Sequence, residues 1–97
     1  MIEIFKLVDC NMLHSKKKNK DYFYVVVYST VEYVMKIFVD EELYDIINQF
    51  DWVDFAKVDL DNCINKSYRN GKFYYSFNDK FYDRVKEVAS QQKFIEE

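Results

Sequence analysis

The chain contains no proline and a single glycine, Gly71, so its turns have to be built from Asn, Asp and Ser. One glycine also rules out a glycine-rich phosphate loop. No run of 18 apolar residues exists, and the start MIEIFKLVD lacks the charged n-region and long apolar core of a signal peptide. A cytoplasmic protein that does not enter a membrane is therefore expected. Two cysteines, Cys10 and Cys63, are too few for a disulfide-framed secreted domain and fit free thiols in a reducing compartment. With the solitary His14 they lack the paired spacing of a zinc site, so neither metal nor cofactor is expected. Ser/His/Asp catalysis would need His14 in an ordered cleft, yet it stands beside a run of lysines. No catalytic constellation emerges, and a non-catalytic protein is expected.

What is abundant is aromatic. Among 97 residues are nine Phe, nine Tyr and one Trp. This length makes one domain, residues 1–97, with one modest core. The rings either fill that core or lie on the surface as platforms for stacking. Net charge is −3, which leans away from nucleic acid, although phosphate binding follows the local field and not the sum.

The densest apolar stretch, DYFYVVVYSTVEYVMKIFV from Asp21 to Val39, is rich in residues that suit a pleated surface, and only Ser29-Thr30 interrupts it. Period two predicts antiparallel strands Tyr22–Tyr28 and Val31–Val39. Tyr22, Tyr24, Val26 and Tyr28 share one face of the first strand, and Phe23, Val25 and Val27 the other. Ahead of them, Ile2–Val8 reads as a strand and Asn11–Lys20 as a solvated loop, since Lys16, Lys17, Lys18 and Lys20 repel one another. Asp40 caps a helix over Glu41–Phe50, with Leu43, Ile46, Ile47 and Phe50 on one stripe. Trp52–Leu60 alternates and reads as a further strand. Asn70-Gly71 is a strong hairpin signal between Ile64–Arg69 and Lys72–Phe77. Asn78 or Asp79 caps a closing helix over Lys80–Lys93, which packs on the sheet or docks a partner subunit. Glu96-Glu97 should fray.

The fold class expected is α+β, mainly β: a five-stranded antiparallel barrel of the oligonucleotide-binding type, one strand fewer than the six segments named, or a curled sheet. The helix at 41–50 falls between strands three and four, and another helix closes the chain. In such a barrel the face of strands two and three binds single strands. Lys16, Lys17, Lys18 and Lys20 would meet phosphates, Tyr22, Tyr24 and Tyr28 would meet bases, and Arg69, Lys72 and Tyr74 would contribute from the late hairpin.

The MIEIFKL start, the lysine-bearing loop running into DYFYVVVY, the strand YVMKIFVDE and the hairpin around YRNGKFYY together resemble the small helix-destabilising, single-stranded-DNA-binding proteins of filamentous and related phages. The resemblance spans most of residues 1 to 77. It implies a dimer that binds single-stranded nucleic acid through the basic loop and nearby tyrosines. The acidic balance, the helix at 41–50, the missing glycines and prolines and the appended helix depart from that family. A different reading starts from the acidic residues Asp40, Glu41, Glu42, Asp45, Asp51, Asp54, Asp59 and Asp61. These suit a small phage or mobile-element protein that binds a host protein, either as an inhibitor of a host enzyme or as an acidic mimic of nucleic acid. A third is a structural subunit whose apolar positions, such as Val34 and Phe38, are buried in a symmetric homo-oligomer.

Overall fold

The computed structural model describes residues 3–31 and 33–95. Among them the order is β1 (Phe5–Ser15), β2 (Lys20–Ser29), β3 (Tyr33–Val39), α1 (Glu41–Ile47), α2 (Trp52–Lys57), β4 (Ile64–Arg69), β5 (Lys72–Phe77) and α3 (Asp79–Ile95). The expected start of the first strand at Ile2, the hairpin residue Glu32 and the fraying of Glu96-Glu97 lie outside the described residues. The class is α+β and mainly strand, as expected, but the strands form two antiparallel sheets, β1-β2-β3 and β4-β5. They do not close into a barrel.

The central hairpin follows its sequence pattern. Residues of odd number on β2 turn inward: Val25 and Val27 are fully buried, and Ile37 of β3 is nearly so. Cross-strand pairs Val25↔Ile37 and Val27↔Met35 place the two apolar rows side by side. Buried Ser29 ends β2, and its hydroxyl donates to the Glu3 carboxylate. The next residue, Thr30, holds Ile4 from both sides: its backbone N–H donates to the Ile4 carbonyl at 3.1 Å, and its Oγ1 accepts the Ile4 N–H at 3.0 Å. The apparent break in the apolar run is thus where the chain start is tied down.

Two local expectations are overturned. Asn11–Lys20 is not a loop, because β1 continues to Ser15 in register with β2, Leu13 opposite Tyr22 and Ser15 opposite Lys20. Like-charge repulsion demanded only that the lysines be solvated. A four-residue turn, Lys16–Asn19 with Asn19 at φ 47°, achieves that as well as a long loop does.

Likewise Trp52–Leu60 is not a strand. Its first six residues are α2, held by a reciprocal cap: Asp51 accepts the Asp54 N–H at 2.9 Å, and Asp54 accepts the Asp51 N–H at 3.1 Å. Phe50 and Phe55, on either side of the cap, meet edge to face with centroids 6.0 Å apart, forming a hydrophobic staple. This also explains why α1 stops at Ile47 rather than Phe50. Phe50 is buried as its helical stripe required, but from the turn that starts α2. Asp51→Ala should cost about 1 kcal/mol, within the range typical of a lost N-cap, and Asp51→Asn should recover most of it. The urea unfolding midpoints of the two variants give the comparison.

The second sheet is the expected hairpin, with Asn70 at φ 51° and Gly71 at φ 78°, the pair of positive angles that a two-residue I′ turn needs. Ile64, Tyr75 and Phe77 press its inner side on the core. α3 supplies Phe81, Val85 and Val88 to that core and packs on α1. There the Tyr82 hydroxyl donates to the Glu42 carboxylate, and this bond above all pushes the phenol up to about 12. No helix among the described residues is long and apolar enough to cross a membrane.

Candidate nucleic-acid interface

The helices and the β4-β5 ribbon cover one face of the three-stranded sheet, and the other is left open. Register places Leu13, Tyr22, Tyr24, Val26, Tyr28, Val34, Lys36 and Phe38 on this outer face. Alternation made this inevitable once the Phe23–Val27 row was buried, because a strand cannot hide both its faces in so thin a domain. Phe38 is 61% exposed, and Val34 and Leu13 are 62% and 53% exposed.

Phe38 is the centre of the aromatic group. It meets Tyr22 and Tyr24 edge to face, at centroid distances of 6.2 and 6.0 Å. Lysines flank the group on both sides: Lys20 Nζ lies 5.5 Å from the Tyr22 ring centroid and Lys36 Nζ 5.1 Å from that of Tyr24. Lys6, opposite Tyr28, adds a third cation to the face, against the single described carboxylate of Asp9 opposite Val26. The exposed turn of Lys16, Lys17 and Lys18 closes the end of the sheet where Lys20 begins β2. Although the whole chain is acidic, the lysines on this face and at its end outnumber its one described carboxylate.

Of the residues singled out from sequence, Tyr22, Tyr24, Tyr28 and Lys20 share this face, and Lys16, Lys17 and Lys18 stand at its end. Arg69, Lys72 and Tyr74 do not join them. These three occupy one side of the ribbon, with the Arg69 guanidinium 4.8 Å from the Tyr74 ring centroid. The ribbon's opposite side is anchored at the far end of the sheet. Tyr75 meets the Phe5 ring at 6.4 Å and Lys66 pairs with Glu3 at 3.4 Å. A hydrogen bond to Tyr75, then Glu3, raises the pKa of Lys66. Phe5 is opposite Ser29, which is about 30 Å of strand from Lys20. Lys36, which also lies on this face, was not singled out from sequence, and Phe38 was singled out only as an apolar position for a homo-oligomer. Their place beside Tyr24 depends on the register Tyr24↔Phe38, which depends in turn on a three-residue connection between Ser29 and Tyr33.

The acidic residues behind the mimic reading turn out to be largely structural. Asp40 caps α1 by accepting the Leu43 N–H at 2.8 Å, and Asp51 and Asp54 cap α2. Asp59 pairs with Arg84 at 2.9 Å. No family model matches this chain, and neither a curated protein nor a solved structure matches it.

Proposed function

We propose that the protein binds single-stranded nucleic acid, without catalysis, along the outer face of the β1-β2-β3 sheet. The observation that carries this reading is the exposed Phe38 ring, braced by Tyr22 and Tyr24 and flanked by the Lys20 and Lys36 ammonium groups. Every base offers a π-face to such a ring, and every nucleotide brings a phosphate to the lysines beside it, so binding tolerates any sequence. Phe38 is the stacking platform, Tyr22 and Tyr24 hold it and offer hydroxyls to base edges, and Lys16, Lys17 and Lys18 extend the cationic track past the sheet end. The reading agrees with the phage proteins that the sequence resembles, but uses an open sheet in place of a barrel.

The test is fluorescence anisotropy of a labelled oligo-dT at two salt concentrations. With four phosphates neutralised, affinity should fall about 50-fold between roughly 50 and 200 mM salt. Absence of binding at the lower salt rejects the proposal. The bare apolar positions Val34 and Leu13 support a second reading, in which another copy of the chain covers this face. In that case oligo-dT binding weakens as the protein is concentrated and a dimer appears in sedimentation.

A further inference from the structure

β1 pairs with β2 on one side only, and the segment Trp52–Leu60 runs beside its other edge. Between them is a groove of about 540 Å³. Residues of both parities line it along residues 4–8: Phe5 and Leu7 from the inner face of β1 and Lys6 from the outer, with Ile4 just ahead of the strand and Val8 at its irregularity. The cavity therefore meets the edge of the strand and not one of its faces. Val8 has no partner in the β1–β2 register and is the last residue of β1 to reach the groove. The wall is rigid at its other end, where Thr30 holds Ile4 by two hydrogen bonds. At the rim stands Trp52, the only tryptophan of the chain, with 80% of its surface exposed. An uncovered indole beside an apolar slot is the composition of a binding hot spot.

Charge identifies the occupant. Lys6, Lys57 and Asp59 border the groove. Asp59 is neutralised by Arg84 at 2.9 Å, and its carboxyl is held below the usual range, first by the Asp61 N–H and then by Arg84. Neither Lys6 nor Lys57 has an ion-pair partner among the described residues. We infer that this groove receives an extended segment of a partner protein in which apolar and acidic residues alternate, adding to the edge of β1 as a fourth strand. Main-chain hydrogen bonds to the edge give such a complex its affinity. Alternate side chains give specificity, apolar ones against Trp52 and Phe55 and acidic ones towards Lys6 and Lys57. The groove shares Lys6 with the edge of the outer face but none of the Phe38, Tyr22, Tyr24, Lys20 or Lys36 group, so this inference stands whether or not the protein binds nucleic acid.

The probe is a synthetic peptide, acetyl-Glu-Ile-Asp-Phe-Glu-Val-amide, titrated into the full chain while Trp52 emission is followed. A saturable blue shift is expected. It should weaken at least about tenfold when lysines replace the peptide's acidic residues, and vanish when prolines occupy alternate positions and block strand pairing. Ala56→Glu, which fills the groove from its exposed α2 wall, and Lys57→Glu, which reverses the rim charge, should each weaken the peptide by a similar factor. Both should leave the far-UV circular dichroism and any oligo-dT binding unchanged. No shift up to about 1 mM peptide overturns the inference. So does equal binding of the lysine or proline peptide, or unaltered binding to both variants. If concentrating the protein alone produces the Trp52 shift together with a dimer, the occupant is a second copy and the partner-peptide assignment fails.

Discussion

Replacing Tyr24 and Phe38 together by alanine should weaken oligo-dT binding at least about 30-fold while leaving the protein folded. Stacking of a base on an aromatic ring is worth roughly 1–3 kcal/mol by alanine substitution, and two rings are removed at the centre of the proposed platform. Both stand on the face away from the core. The folded chain gives up the Tyr24↔Phe38 pair, the Tyr22–Phe38 ring contact and the Lys36–Tyr24 contact, surface interactions worth about 1–2 kcal/mol together. Affinity and stability are thus expected to separate, and anisotropy with a thermal melt on the same sample measures both. The lysines have a different signature. Changing Lys16, Lys17, Lys18 and Lys20 to alanine should flatten the dependence of log affinity on log salt by about 0.7 for each phosphate no longer neutralised. If the ring variant binds as the parent does while the lysine variant does not, attraction is purely electrostatic and the platform has no role.

Phe81→Ala acts on the opposite side of the sheet and should be the most damaging single change to stability. The Phe81 side chain is fully buried and stacks on Phe77 with centroids 3.7 Å apart and planes within 9°. It joins α3 to the base of the β4-β5 ribbon and to the core beneath β2. Deleting a buried phenyl group costs about 3–5 kcal/mol, because the cavity left behind collapses only in part. A domain this small has a total stability near the lower end of about 5–15 kcal/mol. With a urea slope of about 2 kcal/mol/M, the unfolding midpoint should drop by about 2 M. Trp52→Ala is the contrast. The larger side chain is almost uncovered, so its removal should change the midpoint by less than about 0.3 M. A midpoint for Phe81→Ala within about 0.5 M of the parent would show that α3 is not part of the cooperative unit.

Both experiments bear on the same division of labour within the strands. Period-two alternation in residues 22 to 39 was enough to assign which side chains of the central hairpin are interior, because one face of a strand in a thin domain must be buried. Which ring of the next strand joins Tyr22 and Tyr24 on the other face was not legible. Phe38 lies 14 residues after Tyr24 in sequence, and only the length of the connection after Ser29 brings the two opposite each other.

Local chemistry decided much of the rest from sequence alone. Asn70-Gly71 set the ribbon and both its ends, since few other pairs accept two successive positive φ angles. Asp40 set the start of α1, and the apolar spacing of Phe81, Val85 and Val88 set the inner side of α3. Elsewhere two local signals competed. WVDFAK alternates well enough for a strand, but the Asp51–Asp54 cap and the Phe50–Phe55 packing make it a helix. Once that segment is helical, no strand among the described residues remains to bridge the two sheets. The barrel therefore stays open, β1 keeps a free edge, and the groove beside Trp52 exists. Propensity and pattern act over a few neighbouring residues and fixed the elements in which the local signals agreed. The joining of elements depends on interactions between residues far apart in the chain, and those are decided only when the whole core packs.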